Sequence, residues 1–407
     1  MSKDRKRIAV IFGGQSVEHD VSILTGLQFL EALDLDRFEG LPVYVAPDGG
    51  WWTGEALLKR SFYPLDADKK KRLKAVRLDV GRARSAGAAL LAAKGGLFGP
   101  KEDQLPFDLM VPAIHGSNGE DGTLQGLLAF HGVPFAGCRA LASSTTMDKD
   151  FTKRVLGALG VPVLPGARIE RPQSGASLEP KAMERQLAEG LGRLEFPLFV
   201  KPLGLGSSIG ASVADDMDGL LAALLAVFRI DQAALVEPKV ANLREYNVAA
   251  SRATGVLRLS AIERPKSAAD FLNFSEKYLS GGSGGAKLDE APSEGMLSQN
   301  RVLNPEELTP DQSTAIQNHA RCVFETFNLA GSVRIDFLSD AESGELWFNE
   351  VNTVPGSFAC YLWQAAEPPL SFIELTTSLI EEGLRLSAGE RAQTDVQTAR
   401  AVIFDRG

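Results

Sequence analysis

Cysteine is scarce in this chain and poorly placed for what cysteines usually build. Only three occur among 407 residues, Cys138, Cys322 and Cys360. They are far apart, odd in number and without metal-ligand spacing, which excludes a disulfide framework and leaves free structural thiols in a reducing compartment. Positive charge is also short: 43 Lys and Arg against 52 Asp and Glu leave a net charge of −9. Nucleic-acid affinity comes largely from Lys and Arg neutralising phosphates, so that class of partner is set aside. Long apolar runs are missing too. The longest, Gly219 to Phe228, falls well short of the roughly 20 residues of a membrane span and reads as a buried helix segment. The start is basic up to Arg7, but the apolar run Ile8 to Phe12 stops at Gly13 and Gly14, too soon for a signal-peptide core. The expected location is therefore the cytoplasm, with no membrane partner. Two nucleotide signatures are absent as well: no Gly-Lys-Ser/Thr follows the glycines between Gly204 and Gly210, and Gly13-Gly14 lacks dinucleotide Gly-x-Gly-x-x-Gly spacing.

What is present reads as an ordinary globular protein, 44% apolar and 23% charged, long enough for two or three domains. Arg7 to Phe12 is a strand-length apolar run, followed by Gly-Gly and a helical pattern from Ser22 to Leu33. With the short runs Leu41 to Ala46 and Asp108 to Ile114, the first third predicts an α/β unit with a parallel sheet. Gly50 to Lys101 fits less well, and its cluster Lys69 to Arg72 reads as a solvated face. A helix is expected from Asp148 to about Leu159, stopped by Gly160-Val-Pro162. A second α/β segment carries strands at Phe196 to Lys201 and Ala234 to Glu237. Ser280 to Gln299, rich in Gly, Ser and charge, reads as a long loop, and loops of that length are either lids or disorder. Gln317 to Asp336 is a helix leading into a strand, and Leu346 to Asn352 is a further strand. Beyond Ala388 the chain is polar and unpatterned.

The sharpest chemical signal is the strand pair Val333-Arg-Ile-Asp-Phe337 and Leu346-Trp-Phe-Asn-Glu-Val-Asn352. Side chains alternate along a strand, so Arg334 and Asp336 share one face, as do Glu350 and Asn352. If the register aligns those faces, two carboxylates and an amide oxygen form a hard-ligand set suited to Mg²⁺ on nucleotide phosphates, beside an arginine suited to an oxyanion; otherwise they are an exposed polar face. Lys201-Pro-Leu-Gly-Leu-Gly-Ser-Ser-Ile-Gly210 is equally compatible with a phosphate cradle and with an unliganded flexible loop. His115-Gly-Ser-Asn-Gly-Glu-Asp-Gly122 follows a strand, at the carboxyl edge where α/β sheets bind ligands. Within it, Glu120 and Asp121 read as caps of the next helix.

Together these segments resemble the D-alanine–D-alanine ligases of the ATP-grasp superfamily, from about Ile8 to Leu384. The carrying motifs are His115-Gly-x-x-Gly-Glu-Asp-Gly-Thr-Leu-Gln-Gly126 and Glu350-Val-Asn-Thr-Val-Pro-Gly356, supported by Phe12 to Ser22, Met147-Asp-Lys149, Phe199-Val-Lys-Pro202 with Gly206-Ser-Ser208, and Glu276-Lys-Tyr-Leu279. The resemblance implies an ATP-grasp architecture: an N-terminal doubly wound α/β substrate domain over 1–139, then two α+β domains over 140–236 and 237–388 gripping ATP. A mobile lid would lie at about 267–300, and 389–407 would be a polar tail. By the same resemblance Lys149, Lys201 and, on the lid, Lys277 would meet nucleotide phosphates, with Glu237 at the adenine and Glu245 at the ribose. Asp336, Glu350 and Asn352 would hold two Mg²⁺ or Mn²⁺ ions, and Arg334 with the Gly356 backbone would stabilise the oxyanion. Glu18 would receive the first substrate's ammonium and form a hydrogen-bonded set with Ser207 and Tyr278, while His115 would lie beside that substrate. The implied reaction joins two D-alanines through an acyl phosphate for peptidoglycan precursors. The alternatives are a relative using another second amino or hydroxy acid and a catalytically silent nucleotide binder. A homodimer is also implied.

The chain departs from the family pattern after Gly356. Tyr361 stands where a serine that helps hold the second amino acid's carboxylate is common, with Leu362 behind it. Tyr361 either reshapes the acceptor site or merely packs while the neighbouring backbone does the holding. The lid is longer and richer in Gly and Ser than usual, and Glu237 to Glu245 carries one extra residue.

Overall fold

A computed structural model describes residues 5–81, 87–94, 101–173, 180–206, 209–266 and 301–401, and it builds three sheets in chain order. The first comprises β1 Lys6–Gly13, β2 Phe38–Val45, β3 Trp51–Thr53, β4 Lys74–Leu78, β5 Ala88–Lys94, β6 Lys101–Phe107 and β7 Leu109–Pro112, in the order β6-β5-β4-β3-β2-β1-β7. The apolar run of β1 is buried from Ile8 onward because strands lie on both of its edges and helices cover the sheet. Helix α1 (His19–Glu31) packs so closely on it that a methyl on Gly26 would lie 2.5 Å from Phe12.

Only β7-β1-β2 is parallel. The stretch after Gly50 that fitted the α/β pattern poorly forms α2 (Ala67–Lys70) and strands β3 to β6, which extend the sheet antiparallel. The five residues 46–50 that join β2 to β3 are too few for a crossover, so that pair can only be antiparallel.

Helix α3 (Thr123–Phe130) follows β7, and α4 (Ala140–Met147) and α5 (Lys149–Ala158) lead to the second sheet. This comprises β8 Ala167–Glu170, β9 Leu198–Pro202, β10 Ser212–Ala214 and β11 Ala233–Pro238, in the order β10-β9-β11-β8. Helices α6 (Pro180–Leu191) and α7 (Met217–Val227) supply Leu187, Leu220, Leu224 and Val227 to its core. The greasy run from Gly219 is thus a covering helix, and among the described residues no helix is long and apolar enough to cross a membrane.

The third sheet comprises β12 Leu243–Ser251, β13 Arg258–Pro265, β14 Arg301–Leu303, β15 Ser332–Asp340 and β16 Leu346–Asn352, in the order β14-β13-β12-β15-β16. Helix α8 (Pro310–Thr326) opens with a Thr309/Gln312 capping box and buries Ile316, Val323 and Phe324 against Val248, Ile335 and Phe337. That leaves the opposite face of the sheet for polar side chains.

After the short α9 (Cys360–Gln364), α10 (Phe372–Ala401) returns to the first sheet, where Leu375, Leu379 and Ile380 join Ile8 and Val10 in one core. The residues after Ala388, read from sequence as an unpatterned tail, continue this helix as far as Ala401. Glu390 on it pairs with Arg139 at 2.6 Å.

Candidate active site

The polar face of the third sheet is laid out by strand register. Asp336 stands opposite Glu350, and Arg334 opposite Asn352. On its other side Asp336 faces Asn247, which in turn faces Glu263. Partners across antiparallel strands share a face, so Glu263, Asn247, Asp336 and Glu350 form one row across four strands. Arg334 grips Asp336 with two hydrogen bonds of 2.7 Å, and the Asn352 amide donates a third at 2.9 Å. Lys149, at the start of α5, lies 3.2 Å from Glu350 and donates to the Leu205 carbonyl at 2.7 Å. Burial would raise the Glu350 carboxyl, but Lys149, Lys201 and Arg334 outweigh it and hold its pKa down at about 2. Glu245 lies two residues before Asn247 on β12 and shares its face.

A second charged cluster closes the other side. Glu237, 1% exposed, is bound by Lys201 at 2.8 Å and by Lys153, while Lys201 also donates to Asn349 at 2.9 Å. The two lysines overcome the burial that would otherwise raise the Glu237 carboxyl, and its pKa is lowered. Burial likewise presses Lys153 down to about 8. Lys153 escaped the sequence reading, although it lies one helical turn beyond Lys149 on α5.

The loop after β7 meets both the first and third sheets. Gly116 takes a φ of +69°, and a methyl on Gly119 would lie 2.1 Å from the Ile114 carbonyl, so a side chain fits at neither position without strain. His115 is buried, its Nε2 2.8 Å from the Thr25 hydroxyl; burial and the Arg334 charge lower its pKa to about 4. Asp121 caps α3 as expected, accepting from the Thr123 N–H at 2.9 Å. Glu120 does not. It turns inward, accepts from the Gly116 N–H at 2.8 Å and the Val354 N–H at 2.9 Å, and so ties this loop to the one after β16. Burial and the neighbouring Glu18 push the Glu120 carboxyl up to about 8. Glu18 is buried before α1, its carboxylate between two glycine loops: a methyl on Gly116 would lie 2.6 Å from Oε2 and one on Gly206 3.2 Å from Oε1.

Beyond Gly356 the backbone turns the wrong way for L-residues. Ser357, Phe358 and Ala359 have φ of 52°, 53° and 55°, a run that costs roughly 1–2 kcal/mol per residue and persists only when its surroundings over-determine it. Here Ser357 donates to Gln28 at 2.5 Å, the Phe358 carbonyl accepts from Ser332 at 2.8 Å, and the Phe358 ring packs 5.0 Å from Phe29. The turn launches α9 over the polar face. The Tyr361 hydroxyl donates to Glu263 at 2.9 Å, and the Arg301 guanidinium lies 3.8 Å over the Tyr361 ring while binding Glu263 at 2.9 Å. Leu362 is fully buried in the apolar core, so only its main chain is placed to meet a ligand. Ser207, Lys277, Tyr278 and the expected lid lie outside the described residues.

A family model described as the D-ala D-ala ligase N-terminus matches residues 7–138, and one for its C-terminus matches 155–381. The D-alanine–D-alanine ligase of Thermosipho melanesiensis is 31% identical over 377 residues, 93% of each chain.

The chain belongs to the D-alanine–D-alanine ligase family.

Its enzymes form a peptide bond with the use of ATP. The D-alanine–D-alanine ligase structure from Coxiella burnetii superposes with a TM-score of 0.74 at 23% identity, covering 98% of this chain and 99% of that one, a likeness of fold. The VanG D-Ala:D-Ser ligase of Enterococcus faecalis gives 0.70 at 26% identity, covering 93% of this chain and all of that one. The family thus supplies the ATP-grasp frame in which Lys149, Lys201, Arg334, Asp336, Glu350, Asn352, His115 and Glu18 stand. Among the described residues no three His, Cys, Asp or Glu side chains form a cage of their own. Asp336, Glu350 and Asn352 are nonetheless hard oxygen donors on one face, a set that fits Mg²⁺ shared with phosphate oxygens rather than wrapped by protein alone.

Proposed function

We propose that this protein joins D-alanine to D-alanine with ATP in the cytoplasm, for peptidoglycan precursors, and that the residues gathered on the polar face of the third sheet carry the reaction. The observation that bears most weight is the row of Asp336 and Glu350, flanked by Arg334 on one side and Lys149 with Lys201 on the other. It is an arrangement for spreading negative charge, not for burying apolar surface.

Lys149 and Lys201 draw the nucleotide phosphates to the sheet, and Glu237 keeps Lys201 aimed there by holding it against Lys153. The adenine end lies near the close of β11 at Glu237, and the ribose near Glu245. Asp336, Glu350 and Asn352 would hold two Mg²⁺ or Mn²⁺ ions, which when bound supply neutralisation of phosphate charge. Glu18 and His115 receive the first amino acid; His115, kept neutral by burial, offers a hydrogen bond and no charge. A carboxylate oxygen of that substrate attacks the γ-phosphorus, the bond to ADP breaks, and an acyl phosphate forms. The second amino acid's amine attacks the carbonyl carbon, the carbon–oxygen bond to phosphate breaks, and phosphate leaves with the original carboxylate oxygen. Arg334 and the Gly356 backbone stabilise the oxyanion between these steps. By the family resemblance, Lys277, Tyr278 and Ser207 would contribute to the enclosure that an acyl phosphate needs against water. The domain limits 1–139, 140–236 and 237–388 and a homodimer belong to the same proposal.

The test is ADP release with D-alanine as sole amino acid, with detection of the dipeptide by mass. Release and dipeptide together are expected. Release only when another amino or hydroxy acid is added would move the function to a relative with a different acceptor, and none with any substrate would leave a nucleotide binder.

A further inference from the structure

We propose that Arg301, clamped to Glu263 and stacked on Tyr361, receives the carboxylate of the amino acid whose amine attacks, and so selects the acceptor; this rests on the ligase reading above. The geometry behind it is a sheet face with two cationic ends. At one end Lys149 and Lys201 stand beside Glu350 on β16. At the other, Arg301 begins β14 opposite Pro265, two residues from Glu263 and therefore on the same face. Between them Arg334 and Asp336 mark the reacting centre on β15. With strands spaced roughly 4.8 Å apart, Glu263 lies about 10 Å from Asp336 on the side away from the phosphate lysines. In the addition proposed above, the amine reaches the carbonyl carbon from outside its plane, while the phosphate and its lysines fill the β16 side of the reacting centre. The acceptor's other charged group therefore falls towards β13 and β14, where a cation is required.

Arg301 is prepared for that task. Its side chain is 18% exposed and that of Glu263 4%, so the pair is largely shielded from water and the arginine is the more accessible partner. Glu263 is fixed in turn by the Asn247 amide at 3.0 Å and the Tyr361 hydroxyl at 2.9 Å. A planar guanidinium stacked on an aromatic ring is pre-organised for a carboxylate in a way that a lysine is not. The Tyr361 ring, 3.8 Å from the guanidinium and tied to Glu263 by its hydroxyl, also limits the room for the acceptor's side chain to something small. On this reading the tyrosine carries the arginine that replaces a small hydroxyl.

The test offers D-alanine, glycine and D-serine as acceptors, each as the free acid in competition with its amide, and reads the ratio of dipeptide to dipeptide amide by mass. The parent protein should prefer the acid. Arg301→Gln should reduce that preference at least tenfold, and Arg301→Lys should retain part of it. Loss of structure alone would lower both products together and leave the ratio unmoved. An unchanged ratio in Arg301→Gln overturns the assignment of Arg301. A parent protein that makes neither product overturns the ligase reading itself.

Discussion

His115 allows the buried electrostatics to be tested without any substrate. Its imidazole is 4% exposed, bonded to Thr25, and held neutral, with its pKa lowered from 6.5 to about 4. Between those two values the unfolded chain binds a proton that the folded protein refuses, so stability falls as the pH drops through that window. One pKa unit corresponds to about 1.4 kcal/mol, and acidification from pH 7 to pH 5 covers most of the first 1.5 units below 6.5. His115 alone should therefore cost about 2 kcal/mol over that step. Glu120, whose folded pKa is raised to about 8, works in the opposite direction, because the folded state holds its proton longer. The contribution of His115 is therefore the difference in acid sensitivity between the parent and His115→Asn. Urea unfolding at pH 7, 6 and 5 should show the variant losing about 2 kcal/mol less than the parent. Parallel losses in the two proteins would refute a neutral buried imidazole at this position.

Lys153→Met leaves Glu237 buried with Lys201 as its one remaining lysine and should cost about 3 kcal/mol in urea unfolding, together with a raised KM for ATP as Glu237, no longer shared with Lys153, draws Lys201 away from the phosphates. A change under about 0.5 kcal/mol would mean that Lys153 is not structural. Glu120→Leu strands the Gly116 and Val354 N–H groups, each worth about 1–3 kcal/mol when left unsatisfied, and should lower the unfolding midpoint and loosen the loop carrying His115, as seen in amide exchange. Arg334→Gln should lower kcat about 10²-fold or more with a folded, nucleotide-binding protein, whereas Glu350→Gln should abolish turnover. Near-normal activity in Glu350→Gln would remove that residue from the metal set.

Much of the site was legible because its logic is local. Alternation along Val333 to Phe337 and Leu346 to Asn352 places the four polar side chains on single faces, and the short turn between the strands leaves few registers to choose from. The strand before His115 and the glycines after it marked a ligand loop for the same kind of reason. What escaped depends on contacts remote in sequence. Glu120 looked like a helix cap because its partner, Val354, is 234 residues away. Glu263 and Arg301 are 38 residues apart in the sequence, and nothing in the spacing says that β13 and β14 pair. The left-handed run at Ser357 to Ala359 has no glycine to announce it; α1 and Ser332 impose it from outside. Helix α10 carries a weak apolar stripe, and its return to the first sheet follows from packing against Ile8 and Val10 rather than from any signal in its own residues.

The proposed reaction passes a carboxylate oxygen from the first amino acid to phosphate. D-alanine labelled with ¹⁸O in its carboxylate should yield, for each dipeptide formed, one phosphate carrying a single ¹⁸O. Phosphate free of label while dipeptide accumulates would contradict the acyl phosphate, and with it the roles given to Arg334, Asp336 and Glu350.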